Sequence, residues 1–368
     1  MTVAFFISGH GFGHASREIE IIHAFHSRVP DARIIIRSAV SPSLLQRTLR
    51  VPHELRPGPC DTGIVQKSSV EHDDPATIRD AIAFYTTFQA RVDDETAALR
   101  HDDVRLIVGD IPPLAFEVAA RLGVPSVAIG NFTWDWIYET HPGFTDAAAW
   151  ILPDIRAAYA KAHQALELPF AGGFDLFAAT HTLPLVARRP THARNDTRAH
   201  LGVPLDRPAA LLSFGGYGIP SLDLSGVDCT DWTIVATDRI LPRGEPSRWK
   251  HVVYIEEQMF ESSTYRYEDL VAAVDVVMTK PGYGIVSECI AANTPLLYTS
   301  RGDFREYDVF VRKMPRYLRC AFIDHPDLFA GKWRAALEAV VAQAAPRETI
   351  PLNGAEVAAQ ILAGVVGT

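Results

Sequence analysis

Cysteine is scarce. There are four, Cys60, Cys229, Cys289 and Cys320, far apart and with no C-x-x-C pair. Neither a disulfide framework nor a zinc site is expected, and a reducing cytoplasm suits the chain. Long hydrophobic runs are missing too. No stretch approaches the ~18 apolar residues of a membrane span, so peripheral membrane contact is the most a bilayer could offer. The opening "MTVAFFISGHGFGH" lacks a basic leader and reads as a first strand rather than a signal peptide. Positive charge is in deficit: 35 Lys and Arg against 44 Asp and Glu give a net charge of −9. A duplex nucleic-acid binder would need a basic face, so nucleic acid is not an expected partner. Internal repeats and low-complexity segments are absent as well.

What is present is ordinary for a soluble globular protein: 48% apolar and 21% charged residues over a length of 368. That length suits two domains, each able to bury its own core. Short apolar runs alternate with longer helical patterns. Strands are expected at 3–8, 33–37, 105–108, 126–129 and 176–179, then again at 209–214, 233–236, 251–254, 274–278, 296–298 and 321–323. Helices are expected at 16–28, 76–100, 114–122 and 284–292. Continuous apolar strands between helices predict α/β architecture with parallel sheets covered on both faces. The polar stretch 187–208, with three prolines, reads as a connection. The expected division is an N-terminal Rossmann-like domain over 1–190 and a C-terminal one over 205–345. A final segment, 346–368, carries an amphipathic helix at 353–366 that can pack back on the first domain. Two doubly wound domains facing one another would bind ligands at the carboxyl ends of their strands.

The first such end carries "SGHGFGHASRE", residues 8–18. Gly9, Gly11 and Gly13 either make a tight strand-to-helix turn or let a ligand approach backbone amides at the helix start. His14 opens that helix. A helix N-terminus disfavours imidazolium, which suits His14 to serve as a base; the plainer reading is a capping or packing histidine. His10 and Phe12 line the same loop. Asp110 closes the run "VRLIVGD" on the same sheet edge, where it either orients His14 or caps the next helix. The second half repeats the design. "SFGGYGIPS" (213–221) brings Gly215, Gly216 and Tyr217 after a strand. "MTKPGYGIVSECIAANTP" (278–295) brings Lys280, Gly282, Tyr283, Gly284 and Ser287, with Glu288 one helical turn in. Loops rich in amides can hold a diphosphate, and a carboxylate at Glu288 can accept two ribose hydroxyls or simply favour the helix dipole. "YTSRGDFREYDVF" (298–310) adds Arg305 and Glu306, with Asp303 as an N-cap candidate. In "NFTWDWIY" (131–138), Trp134 and Trp136 either line an acceptor groove or belong to the core. "EHDDP" at 71 reads as a solvated loop rather than a metal site.

These motifs resemble the GT-B glycosyltransferases, and most closely the glycosyltransferase-like domain that precedes the sugar kinase in plant L-arabinokinases. The resemblance spans nearly the whole chain and is carried by "SGHGFGHASR", "GDIPPLAFEVAARLGVPSVAIGNFTWDWIY", "KPGYGIVSE" and "DFREYDVF"; no kinase portion is expected within these residues. It implies a GT-B fold and an inverting glycosyltransferase, hexosyl or pentosyl, that uses a nucleotide-diphosphate sugar, UDP-linked, without a cofactor. His14 then matches the base that deprotonates the acceptor hydroxyl, and Asp110 the acid that supports it. Glu288 matches the ribose-binding glutamate. Gly11, Gly13, Gly215, Gly216, Tyr217, Lys280, Gly282, Tyr283, Gly284, Ser287, Arg305 and Glu306 fall on the donor side, with Arg305-Glu306 departing from the family's acid-amide pair. His10, Phe12, Trp134 and Trp136 fall on the acceptor side. No Asp-x-Asp pair occurs, so a metal-bound diphosphate is not expected. Two alternatives remain at this level: a nucleotide-sugar epimerase or hydrolase on the same fold, and a non-catalytic nucleotide-sugar-binding module. The acceptor, the sugar and the oligomeric state are left open.

Overall fold

The computed structural model describes residues 1–219, 222–237, 251–260 and 263–367. They form two compact units. Unit 1 comprises 1–65, 73–186 and 351–368; unit 2 comprises 66–72 and 187–350.

The strands of unit 1 are β1 (Thr2–Ile7), β2 (Arg33–Ser38) and β3 (Glu54–Pro57), and in unit 2 the short antiparallel hairpin β4 (Gln66–Ser68) and β5 (Glu71–His72) follows. Unit 1 resumes with β6 (Val104–Asp110), β7 (Ser126–Phe132), β8 (Gln164–Gly172) and β9 (Thr180–Thr182). Its seven strands are parallel in the order β3-β2-β1-β6-β7-β8-β9. Winding starts at β1, runs outward one way, then resumes from β6 the other way. The crevice between the carboxyl ends of β1 and β6 is therefore the switch point, where open α/β sheets bind ligands. Register sets Ile7 beside Asp110, so the first glycine loop and that carboxylate leave the sheet side by side.

Burial follows from the sequence pattern. Residues 3–7 are wholly buried, as a strand covered on both faces must be. The first helix, Gly13–Arg28, turns Ala15, Ile19, Ile22 and Phe25 inward at helical spacing. Phe25 meets Phe5 edge-on at 6.3 Å. The last helix, Gly354–Gly367, packs on the first and buries Ala358, Ala359 and Leu362. The chain reaches it through two backbone bonds, Leu185 N to Pro351 O (2.9 Å) and Gly354 N to Leu185 O (3.1 Å).

Unit 2 holds β10 (Ala209–Leu212), β11 (Thr233–Thr237), β12 (Val252–Ile255), β13 (Val276–Thr279), β14 (Leu296–Tyr298) and β15 (Cys320–Phe322). They are parallel in the order β12-β11-β10-β13-β14-β15. The switch point lies between β10 and β13. The loops that leave these two strands are the glycine loops at 213 and 280.

Three expectations fail locally. No strand forms at 176–179: Phe174–Leu176 is a 3-10 turn, and the edge strand comes later, as β9. The strand β8, which contains Pro169, is not among the expected strands; proline is unusual in a paired strand. Pro169 sits in the register shift beyond the Glu167 pair, where the ladder needs no N–H from it. The helix expected over 76–100 breaks into Asp74–Thr86 and Phe88–Leu99. At the break, the Thr87 hydroxyl bonds the Phe84 carbonyl at 3.1 Å and competes with the helical ladder. The supposed connection at 187–208 also contains a helix, Arg194–Leu201.

Gly354 offers a test of the return crossing. A Cβ there would stand 2.2 Å from the Pro184 carbonyl oxygen, with Val186 and the Leu185 backbone also too close. Backbone cannot give way as a side-chain tip can. Gly354→Ala should cost about 1–3 kcal/mol of unfolding free energy, read by urea denaturation. Unchanged stability would mean that the last helix is not held at this crossing.

Candidate active site

The switch point of unit 1 gathers a cluster of buried polar side chains. Asp110 is wholly buried at the end of β6. Its Oδ1 lies 2.7 Å from His14 Nδ1. Arg17 grips the same carboxylate twice, through Nε to Oδ2 (2.5 Å) and Nη2 to Oδ1, and donates Nη1 to Asn131 Oδ1 at 2.6 Å. Arg17 reaches Asp110 because it lies three residues past His14, on the same face of the first helix. Burial opposes the charge on Asp110; Arg17 and His14 outweigh it and hold the carboxyl below its ordinary value. With Nδ1 against Asp110, Nε2 is the His14 nitrogen left to take a proton from a ligand. Arg17 Nη2 also stands 3.0 Å from His14 Nδ1, so a cation sits beside the imidazole. The other reading of Asp110, as a helix cap, fails: the helix Pro113–Leu122 has Pro112 at its N-cap.

His10 has its own carboxylate. Its Nε2 lies 3.2 Å from Asp61 Oδ1, without the alignment of a hydrogen bond. Asp61 is buried and accepts from Ser8 Oγ and, at 2.7 Å, from Trp134 Nε1. The His10 ring packs against Gly63, where a Cβ would stand 2.5 Å from it, and meets Trp134 edge-on at 5.7 Å. Trp134 is buried, so it supports the loop from beneath instead of lining a groove. Trp136 is half-buried, with its ring against Gly172. Gly11 has a φ of 78°, which favours glycine, and a Cβ at Gly11 or Gly13 would touch nothing. Phe12 is the N-cap residue of the first helix, which has no side-chain cap bond.

In unit 2, Gly215 has a φ of 70° and opens a 3-10 turn with Gly216 exposed; the Tyr217 side chain lies outside the described residues. The helix Tyr283–Ala292 starts from Gly282, again with no side-chain cap bond. Lys280 just precedes it and donates Nζ to Gln66 Oε1 at 2.8 Å. Burial, aided by the Arg301 guanidinium and resisted by Glu306, pulls the Lys280 ammonium down to about 6. Arg301 Nη1 bonds Glu306 Oε2 at 2.6 Å, and its guanidinium lies over the Phe304 ring at 4.0 Å. Arg305 begins the helix Arg305–Lys313, whose N-cap is Phe304 and not Asp303. Ser287 spends its hydroxyl on the Gly284 carbonyl at 2.8 Å. Glu288 is buried, and Arg188 donates Nε to its Oε1 at 2.8 Å and Nη2 to the same atom. Among the described residues, no three His, Cys, Asp or Glu side chains gather as a metal site, and no helix is long and apolar enough to cross a membrane.

Sequence reading missed Arg17, Asp61 and Arg188. The spacing of Arg17 from His14 was the usable signal. Asp61 and Arg188 sit in loops without a periodic pattern, and only folding brings them to their partners.

Two parallel-sheet units of Rossmann type, each with glycine loops at its switch point, give the chain the GT-B fold of glycosyltransferases. The calicheamicin glycosyltransferase CalG4 matches with a TM-score of 0.59 at 15% identity, over 99% of this chain and 94% of that one. UGT89C1 of Arabidopsis thaliana, solved with quercetin, matches with a TM-score of 0.62 at 14% identity, over 98% and 92%. The glycotransferase of kitacinnamycin gives 0.61 at 16%, over 100% and 94%. In sequence, the chain is similar to L-arabinokinase of Arabidopsis thaliana, at 27% identity over 376 residues and 98% of this chain. It spans about a third (34%) of that protein's length. No protein-family model matches.

Glu18, one turn below His14, gives this cluster a testable pH signature. It is wholly buried and neither carboxyl oxygen has a hydrogen-bond partner. Burial first, and the Asp110 charge second, push it well above its ordinary 4.5, against the pull of Arg17. A raised native value means a stability contribution present in full below 4.5 and lost as pH rises toward that value. Glu18→Gln lacks this loss. Between 4.5 and the raised native value the variant should gain on the wild type as pH rises, by at most about 1.4 kcal/mol per pH unit, in urea unfolding at about pH 4, 6 and 8. A difference constant with pH would mean that Glu18 is ionised in the fold.

Proposed function

We propose that the protein is a glycosyltransferase that moves a hexosyl or pentosyl group from a nucleotide-diphosphate sugar, UDP-linked, to an acceptor hydroxyl with inversion. The observation that carries this reading is the His14–Asp110 pair at the switch point of a GT-B fold. His14 Nε2 takes the proton of the acceptor hydroxyl. Asp110 holds the far nitrogen and favours the imidazolium that forms. The hydroxyl oxygen then bonds the anomeric carbon as the bond from that carbon to the diphosphate oxygen breaks. The electron pair leaves with the nucleotide. In unit 2, the amide-rich loop at the start of the helix Tyr283–Ala292, with Lys280, meets the diphosphate, and Glu288 meets the ribose. Arg301 orients Glu306 near the sugar. On the acceptor side, His10 and Phe12 flank the base. UGT89C1 has been solved with UDP, which supports a nucleotide donor for this fold.

His14→Ala should lower single-turnover rates by ~10²–10⁴-fold and leave donor affinity nearly unchanged. Near-normal turnover in the folded variant would remove His14 from the base role. Sugar release from the donor at full rate without any acceptor would make the protein a hydrolase instead.

Lys280 gives a second test. An amine near 6 in the unliganded protein gains charge when a diphosphate arrives, so binding takes up a proton. Affinity for UDP-glucose, whose diester phosphates keep their charge, should fall as pH rises from about 6 to 8, by at most tenfold per unit. Lys280→Met should bind more weakly at the acid end and lose the slope. The same slope in Lys280→Met would assign the proton elsewhere.

A further inference from the structure

Glu288 does not stand alone. Helix Tyr267–Ala273 brings Glu268 close by, and both carboxylates are buried. Arg188 lies between them, with Nε and Nη2 on Glu288 Oε1 and Nη1 3.4 Å from Glu268 Oε2. Arg266 stands 3.0 Å from Glu268 Oε1. Two buried carboxylates on successive helices thus share one guanidinium, which enters from the segment that leads into unit 2. A buried carboxylate without a cation would be strongly unfavourable. Electrostatic need alone would be met by any cation. The fork does more: two donors converging on a single oxygen restrict where the Glu288 carboxylate can sit.

We propose that Arg188 is a positioning residue that aims Glu288 at the ribose of the donor nucleotide and so sets the preference for a ribonucleotide over its 2′-deoxy counterpart. The inference rests on the reading of unit 2 as the nucleotide site. A carboxylate discriminates a diol only when it is held still: a freely turning one meets bulk water as readily as a hydroxyl. Lysine in place of Arg188 would keep the charge but not the fork. Charge and aim can therefore be separated.

The test is calorimetric titration of the whole chain with UDP, GDP, ADP and CDP and their 2′-deoxy forms. The wild type should prefer its best ribonucleotide over the deoxy form by about tenfold or more, as expected for a hydrogen bond to a charged group. Glu288→Ala should bring the ratio near one. Arg188→Ala should do the same, and Arg188→Lys should leave only a few-fold preference; Arg188→Lys carries the test if the alanine variant does not fold. If no nucleoside diphosphate binds the wild type, the nucleotide reading falls and the inference with it. A wild type that binds both forms equally overturns the ribose contact. If Glu288→Ala loses the preference while the Arg188 variants keep it, the nucleotide reading stands and the inference is wrong. Equal weakening of both ligands in Arg188→Ala, with the ratio intact, would make Arg188 a structural ion pair and overturn the inference.

Discussion

The charge on Asp110 is the constraint around which unit 1 is arranged. It is wholly buried where β1 and β6 part, and a lone carboxylate there would be costly by several kcal/mol. Arg17 and His14 make it tolerable, and both stand on the first helix. The helix must therefore start where it does and keep its register against the sheet. That placement is what puts an imidazole, with one nitrogen already occupied, at the mouth of the glycine loop. Removal of Arg17 alone would leave the buried Asp110 charge with one partner fewer, at a cost of about 3–5 kcal/mol.

The two units solve the same topological problem with different chemistry. Each leaves its sheet at a switch point through glycine-containing loops. Unit 1 fills its crevice with buried acids, histidines and an arginine, of which His14, Arg17 and Asp110 exchange hydrogen bonds. Unit 2 offers amide-rich turns, a half-buried lysine and arginine-held carboxylates. Proton transfer needs the first kind of surface, and recognition of a phosphorylated ligand needs the second.

Acidic composition hides this local pattern. The chain carries an excess of nine negative charges, yet Asp110, Glu288 and Glu306 each meet a guanidinium. Arginine suits these places because its planar fork fixes an oxygen acid as well as neutralising it. Asp61 and Glu18 are treated otherwise. Asp61 is met by a hydroxyl, an indole N–H and the nearby His10, and Glu18 is left without a hydrogen bond. Within unit 1, Asp110, Asp61 and Glu18 are treated so differently that its switch point has uneven electrostatics.

The sequence by itself determined the architecture, because apolar strands and helical periods are local and repeat. The strand-to-helix glycine loops, the place of His14 in the first turn of the first helix and the edge position of Asp110 were legible for the same reason. Their spacing along the chain equals their spacing on an element. Local pattern was insufficient in two places: β8 was not expected, and the apparent helix over 76–100 is broken at Thr87. The tertiary structure alone decided the partners. Asp110 could cap or orient until Arg17 and His14 were seen to hold it. Trp134 could line a groove until burial and the bond to Asp61 made it a support. Arg188 and Glu288 are a hundred residues apart, and Ser8 and Asp61 more than fifty. Pairings at that range depend on how whole strands stack, and no window of sequence contains both ends of them.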